Sequence, residues 1–284
     1  MYNFTFHRPT GLRQATNMLG KLEEAKILAG GQTLIPTMKL RLASPTNIID
    51  LNTVEGLSGI DVKARSIDIG AMTRHVEVAN SAQVKEQLPA LAHLAGLVGD
   101  PAVRHRGTLG GSVANNDPNA DYPAACLGLG ATIITTKRKI AADDFFKGMF
   151  ETALEPDEII TKISFPIAKK SGYEKFRNQA SRFALVGVFV SKRGSEIRVA
   201  VTGAGSNGVF RVPSFEEALK KRFAPKSLEG LTIPAGGMNA DIHGSAEYRA
   251  HLVGVMARRA VARANAVPSA DDEGGQSPGV EFGP

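Results

Sequence analysis

Cysteine occurs once in 284 residues and tryptophan not at all. Cys126 has no partner for an intrachain disulfide, which excludes the cross-linked framework of small secreted domains. One thiolate cannot hold an iron–sulfur cluster, which takes four protein ligands, nearly all of them cysteine. Zinc sites of four cysteines, or of two cysteines and two histidines, are excluded for the same reason. The six histidines form no ligand constellation: His243 and His251 are eight apart, roughly 12 Å along a helix. All six are expected to be solvated or capping. GxSxG and HExxH are absent. No run reaches the roughly 18 apolar residues of a membrane span. The start, MYNFTFHRPTGLRQA, lacks the charged and then apolar pattern of a signal peptide. A cytoplasmic location is expected, with peripheral association at the inner membrane face as a variant. Charge of one sign is also scarce. Lys and Arg total 34 against 28 Asp and Glu, a net of +6 with no basic block, so nucleic acid is not an expected partner.

What is present describes a folded protein: 43% apolar and 22% charged residues, long enough for about two domains. Residues 1–56 read as a small α/β unit. FTFHRP, AKILAGG and TNIIDLN are strand-like, and LRQATNMLGKL and LIPTMKLRLA carry helical spacing. That β-α-β-α-β order predicts parallel pairing. Residues 57–170 form a second unit. It comprises the strand SIDIGAMT, a helical block VANSAQVKEQLPALAHLAGLVG, a loop-rich stretch DPAVRHRGTLGGSVANNDPNADYPAAC, the hairpin around TTKRKIAADDF and the strand DEIITKISFP. Residues 171–268 add strands ALVGVFVSK and EIRVAVTGAG and helices SFEEALKKRF and AEYRAHLVGVMARRAVARA, a small α+β domain. In the last helix Arg249, Arg258, Arg259 and Arg263 are expected on the exposed face. Residues 269–284 contain eight Gly, Pro or Ser, four acids and no base, the composition of a disordered tail.

Two glycine-rich loops stand out. The first is Ala29-Gly30-Gly31-Gln32-Thr33, between a strand and a helix start. Paired glycines let backbone approach a ligand, successive amides form an anion-binding concavity, and a helix N-terminus favours phosphate. An ordinary βα turn explains the same residues equally well. The second loop runs through Thr108, Gly110, Gly111, Ser112 and Asn115 to Asp121, a candidate acceptor for ribose or ring hydroxyls. A turn-rich surface loop is its plain alternative. Two such loops together favour a large phosphate-containing cofactor. Gly203–Gly208 formally fits GxGxxG, but no βαβ context surrounds it, and a sheet-edge loop is expected. Cys126, in PAACLGLGA, reads as a buried small residue.

The segments AGGQTLIPTMKLR, DPAVRHRGTLGGSVANNDPNADYPAA, DDFFKG, TALEPDEIITKISFP and DIHGSAEYRAHL resemble, in order, the medium, FAD-binding subunit of the molybdenum hydroxylases. This group contains aerobic carbon monoxide dehydrogenase, xanthine dehydrogenases and N-heterocycle hydroxylases. The resemblance spans about residues 1–265. It implies an α+β chain: a vanillyl-alcohol-oxidase-like FAD-binding domain of two α/β subdomains (1–56 and 57–170), then a C-terminal α+β domain with an antiparallel sheet and helices. By position, Ala29, Gly30, Gly31, Gln32 and Thr33 would hold the FAD pyrophosphate. Thr108, Gly110, Gly111 and Ser112 would form a second cradle with Asn115 and Asp121 nearby, and Phe183 would stand beside the isoalloxazine ring. Gln32 and Thr33 replace the His and Ser usual in the first motif, and both still hydrogen-bond. The resemblance implies non-covalent FAD and no essential acid, base or nucleophile in this chain. It places a molybdopterin cofactor on a large partner subunit and two [2Fe–2S] clusters on a small one, in a dimer of heterotrimers that passes electrons to an external acceptor. A free-standing flavin oxidoreductase of the vanillyl-alcohol-oxidase type and a non-catalytic scaffold subunit remain the alternatives.

Overall fold

The computed structural model describes residues 1–266, so the tail expected at 269–284 lies outside the described residues. The first unit contains β1 (Thr5–His7), α1 (Leu12–Lys21), β2 (Ala25–Leu28), α2 (Leu34–Lys39) and β3 (Asn47–Asp50). Its sheet has the order β1-β3-β2 and both pairings are parallel, as the alternation of strand and helix required. Such crossovers are right-handed, which places α1 and α2 on opposite faces. Ile49 packs with Ala15 of α1 and Leu51, while the buried Ile48 alternates to the other face of the sheet, the side on which right-handed crossover places α2.

The second unit is an antiparallel sheet of order β4-β5-β10-β6-β7 with helices packed against it. Its elements are β4 (Ile60–Val62), β5 (Ser66–Gly70), α3 (His75–Asn80), α4 (Ala82–Gln87), α5 (Pro89–Gly96), α6 (Pro101–Arg106), α7 (Leu109–Asn115), α8 (Tyr122–Leu129), β6 (Thr132–Thr135), β7 (Lys139–Ala141), α9 (Ala142–Phe145), β8 (Phe146–Gly148), β9 (Glu151–Thr152) and β10 (Ile160–Pro166). Two expectations change here. The helical block divides in three, because Ser81 caps α4 and Pro89 opens α5. The stretch read as loop-rich holds three helices. Asp100 caps α6 ahead of Pro101, Thr108 caps α7, and Pro123 falls in the first turn of α8. Glycines of these helices serve close packing: a Cβ on Gly110 of α7 would press on Ala71, and one on Gly128 of α8 would lie 2.6 Å from the Phe189 ring.

The third unit is the antiparallel sheet β11 (Lys170–Arg177), β12 (Ala184–Arg193), β13 (Glu196–Thr202) and β14 (Phe210–Arg211), in sequential order. Helices α10 (Pro213–Lys221) and α11 (Ala246–Ala266) cover one face. Tyr173, Phe189 and Ala200 join the core of the second unit on the other. β11 carries no clean alternation and escaped the sequence reading. The GxGxxG segment joins β13 to β14 in an antiparallel pair, so it has no dinucleotide-binding context. Cys126 is buried in α8, as expected. Arg249 is not on the exposed face of α11. It is buried, donates to the Leu185 and Gly203 carbonyls and pairs with Asp241, pinning the helix to the sheet. His75 is likewise buried rather than solvated.

Candidate functional site

The two glycine loops, nearly 80 residues apart in sequence, meet at one seam. The first follows the C-terminal end of β2, where Leu28 pairs with Asp50. Asn52 ties its start by donating from Nδ2 to the Ala29 carbonyl at 3.0 Å and to Asp50. Gly31 has φ +72°, a backbone state suited to glycine. Gly30 is buried against the turn between α6 and α7. A Cβ there would meet the Arg106 carbonyl oxygen, with Gly107 Cα at 2.7 Å. Across the same seam, a Cβ on Gly111 would lie 3.6 Å from Ala29 Cβ and 2.8 Å from Thr108 Oγ1. At Gly30 only a residue without a side chain allows this approach, whereas the distance from Gly111 to Ala29 is ordinary contact.

The loops differ in what they leave free. In the first, the amides of Gly31, Gln32 and Thr33 donate to no acceptor among the described residues. They form a run of unpaired N–H groups leading into α2, beside the exposed side chains of Gln32 and Thr33. In the second, the amides are already used. Leu109 donates to Thr73, Gly110 to Ala71, Ser112 to the Thr108 carbonyl and Gly111 to Thr108 Oγ1 at 3.2 Å. The resemblance implies a cradle in each loop. The structure offers free N–H groups from the first, while the second supplies a close-packed platform and the Ser112 hydroxyl, which has no partner among the described residues. A run of uncharged donors with room for close approach fits a phosphate-bearing nucleotide cofactor. Arg106, at the seam, is exposed and has no acidic partner among the described residues.

The remaining expected residues lie outside this seam. Asn115 is the last residue of α7 and half-exposed. Asp121 is buried at the start of α8. It accepts from the Tyr173 hydroxyl and pairs with Lys175 Nζ at 3.0 Å, and Lys175 also donates to the Leu97 carbonyl. Burial pushes the Asp121 carboxyl up, against the opposing pull of Lys175 and Tyr173. The carboxylate keeps further acceptor capacity beyond these two bonds. Phe183 is exposed at the end of the β11–β12 hairpin, whose turn is held by Asn178.

Sequence reasoning passed over three residues that shape the site. Lys175 gave no local signal, because its partner is 54 residues away. Asn116 closes α7 in the left-handed conformation, φ 45°, and its amide bridges the Gly148 and Glu151 carbonyls. The Asn-Asn-Asp-Pro run could have flagged it, since Asn tolerates that conformation. His75 lies beneath the second loop, donating its amide to the Gly107 carbonyl and packing 5.3 Å from the Tyr122 ring. Burial, with the Arg104 charge, lowers its imidazole to about 4. His75 is therefore a neutral support under the platform.

Comparison with known proteins places the chain. The model of the FAD binding domain in molybdopterin dehydrogenase matches residues 2–168. The nicotine 6-hydroxylase medium subunit of Paenarthrobacter nicotinovorans is 36% identical over 273 residues, covering 91% of this chain and 96% of that one. The carbon monoxide dehydrogenase medium chain of Hydrogenophaga pseudoflava is 35% identical, again covering 91% and 96%. Among solved structures, reconstituted CO dehydrogenase from Oligotropha carboxidovorans aligns with a TM-score of 0.83 at 34% identity, covering 94% of this chain and 99% of that one.

Proposed function

This chain belongs to the family of FAD-binding domains of molybdopterin dehydrogenases, and on that premise we propose how it works as the flavoprotein subunit of a molybdenum hydroxylase complex. It binds FAD non-covalently and relays electrons from [2Fe–2S] clusters on a partner subunit to an external acceptor. When bound, FAD supplies the redox chemistry, accepting and releasing electrons singly or in pairs. The residues of this chain bind and orient it. The free amides of Gly31, Gln32 and Thr33 would hold the pyrophosphate, with Ala29 and Gly30 letting the backbone come close. Thr108, Gly110, Gly111 and Ser112 would form the second wall, supported by Asn115 and Asp121, and Phe183 would contact the flavin. No side-chain acid, base or nucleophile of this chain takes part. A molybdopterin-bearing large subunit and a cluster-bearing small subunit complete the complex, in a dimer of heterotrimers located in the cytoplasm.

The observation that carries this reading is the seam itself: unpaired amides in one loop, closed against another by contacts only glycine permits. The test is direct. The purified full chain is expected to carry a flavin spectrum that is released on denaturation, and added FAD is expected to raise the melting temperature of the apoprotein. A colourless chain with no thermal shift would sink the reading. Turnover of an electron donor by the chain alone, without partner subunits, would favour a free-standing flavin oxidoreductase instead.

A further inference from the structure

The N-terminal strand buries almost nothing in this chain. Every residue from Met1 to Phe6 is exposed, and His7 is half-buried. Of the twelve large apolar side chains exposed among the described residues, six lie within residues 1–42: Met1, Tyr2, Phe4, Phe6, Leu40 and Leu42. The last five are 40% to 76% exposed. They form one surface. Phe6 is in register with Ile48, so it projects from the same face of the sheet as Ile48, and Tyr2 and Phe4 are exposed on the segment leading into β1. Met38 of α2 and Ile48 are buried, while Phe6 stays open. Leu40 and Leu42 border the open part, because the Arg41 guanidinium between them lies 5.5 Å from the Tyr2 ring centroid.

The exposed charges of the elements forming this surface are cations. Arg8 lies over Phe6 and Arg41 over Tyr2, with Lys39 in the last turn of α2. The exposed acids of residues 1–50 are Glu23 and Glu24, in the turn before β2 and two strands away from β1. The buried Asp50 of β3 pairs with Arg8 at 3.7 Å, which leaves Arg41 and Lys39 as the cations with no acidic partner among the described residues. β1 is also an edge strand, with one side of its backbone unpaired. Covering that edge requires hydrogen-bonding groups, which a polypeptide has and a bilayer interior lacks. The strands are parallel, so the first glycine loop leaves from their C-terminal ends, whereas Tyr2 and Phe4 precede β1. A four-residue strand separates the two ends by roughly 13 Å. The surface is thus at the far end of the first unit from the cofactor seam.

We propose that the α2 face of β1, with Leu40 and Leu42, is the docking surface for a partner subunit of the complex, which covers it with an apolar segment rimmed by acidic residues. This rests on the reading of the chain as one subunit of a multi-subunit enzyme.

The test uses the full chain co-expressed with its molybdenum-bearing and cluster-bearing subunits. Three measurements are made on each sample: the dissociation constant for assembly, the flavin content, and hydrogen exchange at residues 1–7. Wild type is expected to assemble and to gain amide protection at Phe4 and Phe6. The double variant F4E/F6E is expected to assemble about 30-fold more weakly, the scale of a hot-spot loss, with unchanged flavin content. Arg41→Glu is expected to weaken assembly in the same direction. Unchanged assembly of F4E/F6E, no gain of protection at residues 1–7 in the wild-type complex, or protection by phosphatidylglycerol vesicles instead of partner subunits overturns the inference and leaves the flavoprotein reading standing. Failure of the wild-type chain to assemble with either subunit overturns that reading, and the inference with it.

Discussion

Replacing Gly30 with alanine tests the seam most sharply. The new Cβ would meet backbone on three counts: the Arg106 carbonyl oxygen, Gly107 Cα at 2.7 Å and the Arg106 carbonyl carbon at 2.8 Å. None of these can rotate away. Ordinary contact begins near 3.4 Å, so the two loops must separate by at least about 0.7 Å. Overpacking of this kind costs about 1–3 kcal/mol. The separation opens the wall against which the free amides of Gly31–Thr33 are set, so cofactor affinity falls by at least about tenfold, or roughly 1.4 kcal/mol. Gly111→Ala is milder. Its nearest neighbour is the Thr108 hydroxyl at 2.8 Å, which can turn aside at the loss of a helix cap worth about 1 kcal/mol. Gly236→Ala meets nothing within 4 Å and serves as the control. The assay is FAD titration of the three apoproteins by flavin fluorescence, with thermal melts in parallel. The expected order of loss is Gly30, then Gly111, then Gly236 at wild-type level. Wild-type FAD affinity and melting in Gly30→Ala would refute the reasoning.

Three further outcomes follow from the buried polar groups. Lys175→Met strands the buried Asp121 carboxylate and should cost about 3–5 kcal/mol in urea unfolding; adding Asp121→Asn should restore part of the loss, and strictly additive effects would count against the pair. Burial tends to raise the Glu158 carboxyl, but hydrogen bonds from Arg138, Thr135 and the Glu155 amide outweigh it and hold it at about 2. A depressed folded value stabilises above the unfolded value, so the advantage of wild type over Glu158→Gln should shrink as pH falls from above 4 towards 2; an advantage independent of pH would contradict it. His75 has the opposite charge type. Its folded value near 4 is below the unfolded 6.5, so the unfolded chain binds the proton first and stability is lost as pH falls between those limits. His75→Gln should flatten that decline in a pH series of melts, and an equally steep decline in the variant would rule the buried imidazole out as its source.

Much of the architecture was legible because it is written in local periods. Alternation gave the strands SIDIG and EIRVAVT, helical spacing gave α1 and α10, and the β-α-β-α-β order gave a parallel sheet. The reading failed where a residue type serves two ends. Glycine and proline make residues 100–126 read as loop-rich, yet Pro101 and Pro123 sit in first turns, where a missing N–H costs nothing. Gly107 and Gly110 are glycine because His75 and Ala71 press on them. Arg249 was assigned to solvent because a helix pattern with many arginines usually faces water. Its actual partners are carbonyls on β12 and beyond β13, 64 and 46 residues away, which no local pattern can reveal.

The site was half legible for the same reason. Two glycine-paired loops marked a cofactor from sequence alone, but they read as two equivalent cradles. The structure makes them unequal. Thr108 spends its hydroxyl on capping α7, and Ala71 and Thr73 accept the neighbouring amides, so the second loop is satisfied before any ligand arrives. The first loop has no such partners, because Gly31 turns the chain away from the sheet at φ +72° just where strand pairing ends. On the proposed function, the unpaired donors of Gly31–Thr33 are the part of the site a ligand would complete, and the second loop is the part that would hold them in place. This division makes Gly30 the sensitive position: it belongs to the donor loop by sequence and to the seam by contact. A substitution there disturbs ligand and support together, whereas one at Gly111 disturbs the support alone.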